Sequence, residues 1–104
     1  IGSGSGQTST LLAIARKAKN QGASILLFTT NPTSPLANMA DLSVAVPAPS
    51  LEGAAEGRDL NSVQPMGTLF EQSLLILCDI IIIWIMQQNG VSVSQMRLRH
   101  ANLE

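Results

Sequence analysis

The chain has 104 residues and a net charge of −1 at pH 7, and 45% of its residues are hydrophobic whereas 12% are charged. This length allows one small domain, and the lack of a basic excess argues against nucleic acid as a partner. One cysteine and one histidine exclude a disulfide framework and give no zinc-binding spacing, so we expect a cytoplasmic protein without a metal.

A glycine- and serine-rich segment opens the chain, with the sequence Gly2-Ser3-Gly4-Ser5-Gly6-Gln7-Thr8. Glycine lets the backbone come close to a ligand, and a helix that follows adds unpaired N–H groups and a partial positive charge. The loop therefore predicts a binding site for a phosphate or another small anion. The alternative is a plain capped helix start, because serine and threonine are ordinary N-caps.

The known nucleotide-binding motifs fit this loop poorly. A P-loop needs a Gly-Lys pair, but no lysine precedes Lys17. The fingerprint G-x-G-x-x-G fails at Gln7, and residues 20–30 contain no acidic side chain that would bind a ribose. The pattern favours a phosphate carried by something smaller than a nucleotide.

The hydrophobic pattern predicts helices alternating with strands, which is typical of a three-layer α/β fold with a parallel sheet. In chain order we predict a helix over 8–21, a buried strand over 24–29, a helical turn over 36–40 capped by Ser34, a strand over 42–46, a polar connection over 47–65, a helix over 66–88 and a short helix from Ser92 or Ser94 to about Arg99. Two strands are fewer than a sheet normally has. We therefore expect the chain to be the C-terminal portion of a longer domain.

The helix over 66–88 is apolar nearly all round, which predicts burial on several sides. Its apolar stretch over 74–86 contains Asp79 and is shorter than the roughly 20 residues of a membrane span. We expect a core or subunit-interface helix, in which Cys78 and Trp84 are packed inside and Asp79 is paired.

The order of these motifs resembles that of the sugar isomerase (SIS) domain family of phosphosugar isomerases and phosphosugar-binding proteins. The similarity lies in the glycine loop, in residues 29–37 and in Ala40-Asp41. Within the family, residues 64–72 and 100–104 are most similar to the 6-phospho-3-hexuloisomerases. The resemblance implies a three-layer parallel-sheet SIS fold, a homodimer or homotetramer, a phosphorylated sugar as ligand, and neither a cofactor nor a membrane partner.

The resemblance also implies the reaction, which interconverts 3-hexulose 6-phosphate and fructose 6-phosphate in formaldehyde fixation by the ribulose monophosphate route. The phosphate would be bound by Ser3, Gly4, Ser5, Gly6, Gln7 and Thr8. Glu71 would be the base that forms an enediolate, provided that it is buried, and His100 would move protons between substrate oxygens. The alternative for Glu71 is an acidic residue at a helix start that the helix dipole favours. The alternative for His100 is an exposed histidine near the C-terminus without a catalytic role.

Three other functions remain open. The same family includes non-catalytic phosphosugar sensors and isomerases for arabinose 5-phosphate or sedoheptulose 7-phosphate. The chain could also be a structural fragment whose apolar helix serves oligomerisation only. The presence of both Glu71 and His100 favours an enzyme.

Overall fold

The computed structural model describes residues 1–49 and 62–100. The elements are α1 (Ser9–Asn20), β1 (Leu26–Thr29), α2 (Pro35–Met39), β2 (Leu42–Ala45), α3 (Thr68–Gln88) and α4 (Val93–Arg99). Each lies where the hydrophobic pattern predicts it. Most of the connection predicted over 47–65 lies outside the described residues. The chain divides into two units, Ile1–Leu74 and Leu75–Glu104.

The sheet of the first unit is parallel, which confirms the α/β class. Strand β1 pairs with β2 so that Leu26 lies opposite Leu42. On the other edge of β1, Phe28 forms a parallel bridge with Gly2, and its N–H donates to the Ile1 carbonyl at 2.9 Å. The first residues of the chain therefore lie beside β1 as a short strand-like segment, and the glycine loop projects from its end.

The core of the first unit lies between α1, α2 and β1. Its central side chains are at most 6% exposed, and they are Ala15, Ile25, Leu27 and Leu36. Helix α1 supplies this core from one face, because Leu11, Ala15 and Ala18 recur at helical spacing. Burial of each leucine or isoleucine contributes about 1.5–3 kcal/mol, so this small cluster fixes the position of α1 behind the glycine loop.

Helix α2 begins as the sequence predicts. Ser34 is its N-cap and accepts a hydrogen bond from the Ala37 N–H, while Pro35 occupies the first turn. Ser34 is 1% exposed, so this cap is also part of the packed interior.

Asp41 joins the ends of three elements of the first unit. Its carboxylate accepts hydrogen bonds from the Lys19 ammonium at 2.5 Å and from the Ile25 N–H at 2.6 Å. The bond from Lys19, followed by the bond from Ile25, lowers the pKa of Asp41 from its ordinary value of 3.8. The side chain therefore links the end of α1 to the residues that precede β1 and β2.

The second unit contains the rest of α3 and helix α4. Gly90 ends the long helix with φ 62°, a conformation that glycine adopts at little cost. Ser92 begins α4 with a capping box, in which its hydroxyl accepts from the Gln95 N–H and its own N–H donates to the Gln95 side chain. Of the two predicted caps for this helix, Ser92 is the correct one.

The prediction that α3 is buried on several sides is wrong for the single chain. Phe70 is the one buried residue of this helix. Trp84 is 59% exposed, Cys78 is half-buried, and Asp79 is exposed without an ion pair among the described residues. The hydrophobic pattern shows that a surface is apolar but not what covers it, and the described residues cover little of this helix.

Judged by length and composition only, α3 is long enough and apolar enough to cross a membrane, with a mean hydropathy of 2.1 over its most apolar window. The buried core helices of soluble proteins have the same character. The expectation that the protein has no membrane partner therefore stays a prediction.

The lowered pKa of Asp41 predicts a pH-dependent contribution to stability. We expect Asp41→Asn to unfold at a lower urea concentration than the wild type at pH 7. A group whose pKa is lowered by folding stabilises the fold above its unfolded pKa and loses that contribution as the pH falls through the folded pKa. The difference should therefore shrink as the pH falls below about 4.

Urea titrations followed by circular dichroism measure this difference. Asp79→Asn is the matched control, because it removes an exposed carboxylate that has no ion pair in the described part of the chain. An Asp41→Asn defect of the same size at pH 7 and pH 2 would contradict the assignment.

Candidate functional site

The glycine loop is a tight turn whose polar groups are partly satisfied within the loop. The Ser3 hydroxyl accepts from the Gly6 N–H at 3.2 Å, and the Ser5 hydroxyl accepts from the Gln7 N–H at 3.3 Å. Gly6 has φ 65°, in the left-handed region that favours glycine. The serines therefore shape the loop in addition to offering hydroxyl groups.

Gly6 also lies against the start of α2. Its carbonyl accepts from the Leu36 N–H at 3.1 Å. A Cβ at this position would lie 2.0 Å from the Ser34 hydroxyl oxygen, which is far inside contact distance. Only glycine fits both the backbone conformation and the space.

The end of β1 holds the loop from behind through the Gly4 carbonyl. That oxygen accepts from the Thr30 N–H at 3.1 Å, from the Thr29 hydroxyl at 3.0 Å and from the Thr30 hydroxyl at 2.8 Å. This role of the two threonines was not predicted from the sequence. The available signal was a pair of hydroxyl residues directly after a buried strand, at the edge where loops of parallel sheets meet.

The start of α1 offers N–H groups that have no acceptor within residues 1–49 and 62–100. Thr8 is the N-cap residue, but its side chain makes no capping hydrogen bond. The Leu12 N–H donates to the Thr8 carbonyl at 3.0 Å, so the N–H groups over residues 9–11 precede the first helical bond. This arrangement favours an anion-binding helix start over the plain capped turn.

An open cleft of about 930 Å³ lies in the first unit, between the glycine loop and the start of α3. Its lining residues are Gly2, Ser3, Gly4, Ser5, Gln7, Thr8, Ser9, Leu11, Met66, Gly67, Thr68, Phe70, Glu71 and Leu74. None of these side chains is a lysine or an arginine. Gly6, which the sequence placed among the phosphate-binding residues, is buried behind the loop and does not line the cleft.

Glu71 lies in the first turn of α3, where its N–H donates to the Gly67 carbonyl at 3.1 Å. Its side chain lines the cleft but is exposed, so the burial that its predicted role requires is not provided by the described residues. The turn that precedes it is anchored by the Thr68 hydroxyl, which donates to the Pro65 carbonyl at 2.7 Å. Met66 has φ 57° there, an uncommon conformation for a side chain of this kind.

The apolar wall of the cleft was also missed in the sequence. Phe70 and Leu74 are one helical turn apart and line the cleft with Glu71. Leu74 additionally approaches Gly2, where an added Cβ would lie 2.5 Å from its side chain. The spacing of four residues was visible in the sequence, but the helix is apolar nearly all round, so this pair did not stand out.

His100 lies in the second unit, at the C-terminal end of α4. Its side chain is exposed, and its backbone N–H donates to the Arg97 carbonyl at 3.2 Å. The remainder of its motif, residues 101–104, lies outside the described residues. A catalytic role for His100 therefore stays a prediction.

Comparison with known proteins identifies the family of this chain. The family model described as "SIS domain" matches residues 1–77, and the chain belongs to this family. A 3-hexulose-6-phosphate isomerase from Bacillus subtilis (strain 168) is 40% identical over 104 residues, which are 100% of this chain and 55% of that protein. One from Methylomonas aminofaciens is 41% identical over 102 residues, which are 98% of this chain and 54% of that protein.

The solved structures show the same fold. A protein of E. coli CFT073, solved in complex with a sugar phosphate, has a TM-score of 0.71 and 26% identity and covers 96% of this chain and 49% of that one. The chain spans about half the length of the curated relatives it matches. The predicted SIS-type α/β fold is thereby confirmed.

The fit of Gly6 against Ser34 predicts a large effect of a single methyl group. We expect Gly6→Ala to lower the free energy of unfolding by more than about 2 kcal/mol, because a left-handed conformation costs roughly 1–2 kcal/mol without glycine and the contact with Ser34 adds to it. Urea denaturation measures the loss.

Gly22→Ala is the matched control. Gly22 has φ 78°, and nothing lies within 4 Å of its added Cβ, so this variant has the backbone cost alone. Equal losses in the two variants would show that the contact with Ser34 carries no energy.

Proposed function

We propose that the protein is a phosphosugar isomerase that interconverts 3-hexulose 6-phosphate and fructose 6-phosphate. The observation that supports this most directly is the joint lining of one cleft by the glycine loop and by Glu71. The names of the relatives from Bacillus subtilis and Methylomonas aminofaciens supply one substrate, 3-hexulose 6-phosphate, and fructose 6-phosphate is the product formed when its carbonyl moves from C3 to C2. A volume of about 930 Å³ is ample for a six-carbon sugar phosphate.

The loop side of the cleft would bind the phosphate. The unpaired N–H groups at the start of α1 and the hydroxyl groups of Ser5 and Thr8 offer donors to its oxygens, and the helix dipole favours its charge. Those lining residues that the structure describes contain no cationic side chain. Recognition of the phosphate would therefore rest on N–H and O–H donors. Hydrogen bonds are directional, so these donors would orient the phosphate ester as well as attract its charge.

The α3 side of the cleft would carry the chemistry. Glu71 would take the proton from C2 of 3-hexulose 6-phosphate, which forms a 2,3-enediolate, and return it to C3 as the carbonyl moves to C2. Between these steps a proton must pass from the oxygen on C2 to the oxygen on C3, the role proposed for His100. Because Glu71 is exposed in the described residues, we further propose that a second subunit of a homodimer or homotetramer completes the site.

The sugar-phosphate complex of a related protein supports a second candidate substrate. The related protein of E. coli CFT073 was solved in complex with a sugar phosphate, and it is not described as a hexulose-phosphate isomerase. An isomerase of this family that acts on another sugar phosphate, such as arabinose 5-phosphate, is therefore the second candidate function. Activity assays on the full-length protein with both substrates separate the two candidates, and binding of fructose 6-phosphate without turnover would indicate a sensor.

The proposed base predicts a defect in turnover without a defect in binding. We expect Glu71→Gln in the full-length protein to lower kcat by about 10²–10⁴-fold, while the Kd of fructose 6-phosphate from calorimetry stays near the wild-type value. Asp79→Asn, which removes an exposed carboxylate from the same helix, is the control. A near-normal kcat in Glu71→Gln would exclude this residue as the base.

The proposed proton transfer predicts a change in the pH profile. We expect His100→Ala to lower kcat/KM by about 10²-fold or more and to change its pH dependence. Ser94→Ala, at another exposed position of α4, should leave the profile intact. An unchanged profile in His100→Ala would argue against an acid–base role.

A further inference from the structure

We propose that Thr30, assisted by Thr29, is a positioning residue that sets the direction in which the glycine loop presents its N–H groups to the phosphate. This inference rests on the proposed function of the same loop. It concerns two residues that do not line the cleft and that act through the carbonyl of Gly4.

The geometry of the peptide bond connects the threonines to the ligand. The Gly4 carbonyl points toward the end of β1, where three donors of Thr29 and Thr30 meet it at 2.8–3.1 Å. In a trans peptide the carbonyl and the next N–H point in opposite directions. The Ser5 N–H must therefore point away from β1, and it has no acceptor among the described residues. Ser5 itself lines the cleft.

The flexibility of the neighbouring glycines explains why the Gly4–Ser5 peptide must be held in one orientation. Glycine residues on both sides of Ser5 allow the backbone many conformations, including one in which the Gly4–Ser5 peptide is rotated by half a turn. That rotation would turn the carbonyl oxygen toward the cleft, where it would repel a phosphate. A carbonyl oxygen has two lone pairs, and three donors keep both of them occupied on the β1 side.

The hydroxyl groups of Thr29 and Thr30 donate to the Gly4 carbonyl from within a packed environment. Thr29 is 0% and Thr30 is 8% exposed, so neither hydroxyl exchanges its partner for bulk water. Valine has nearly the same shape as threonine and favours strands equally. At position 30 the feature that threonine adds is the hydroxyl donor to Gly4, and this donor serves the loop rather than the core. The Thr29 hydroxyl donates to Gly4 and also accepts from the Asn31 N–H at 3.1 Å, so Thr30 is the cleaner position for a test.

The test compares hydroxyl loss with hydroxyl retention in the full-length protein. We expect Thr30→Val to weaken the binding of fructose 6-phosphate and of inorganic phosphate by a similar factor of about three to ten, the equivalent of one hydrogen bond. Thr30→Ser, which keeps the hydroxyl, should restore most of the affinity. Calorimetric titration of each folded variant gives the Kd. Thr33→Val is the control, because it removes an exposed hydroxyl that donates to Asn31 outside the loop.

Equal binding by Thr30→Val and wild type would overturn the inference, as would equal weakening in Thr30→Val and Thr30→Ser, because the hydroxyl would then be irrelevant. If Thr30→Val does not fold, Thr29→Val removes the other hydroxyl donor and is tested in the same way. A wild-type protein that binds neither probe would instead contradict the proposed function itself.

Discussion

The attachment of the glycine loop to the end of β1 and to the start of α2 is the constraint on which the described site depends. The Gly4 carbonyl is held by the end of β1, and the Gly6 carbonyl is held by the start of α2. Neither anchor belongs to the loop or to the helix that follows it. The core around Ala15 and Leu27 then fixes α1 behind the loop, so the free N–H groups of the helix and the loop face the same cleft.

The local features of the fold were predictable because they depend on near neighbours in sequence. Ser34 before Pro35 predicted the start of α2, and Ser92 three residues before Gln95 allowed the capping box that begins α4. The glycine loop likewise predicted an anion site from its own composition. At the two helix starts the contact spans only a few residues, so the pattern and the geometry agree, whereas the anion site of the loop stays a prediction.

The features that were not predicted depend on residues that are far apart in the chain. The bonds from Thr29 and Thr30 to Gly4 join residues 25 and 26 positions apart, and no periodicity reveals such a pairing. The exposure of Trp84 has a related cause. An apolar helix pattern predicts burial, but it does not show which other surface buries the helix. Glu71 lines the same cleft as the loop, but its burial depends on surfaces that the described residues do not supply.

The contact between Gly6 and Ser34 makes the loop and the second helix a matched pair. A designer who transfers this loop to another α/β protein must transfer the first turn of α2 with it, since the loop alone would lose both its carbonyl partner and the pocket that its bare α-carbon occupies. The smallest segment that keeps the loop in this conformation is therefore a strand–loop–helix–strand–helix unit rather than a seven-residue motif.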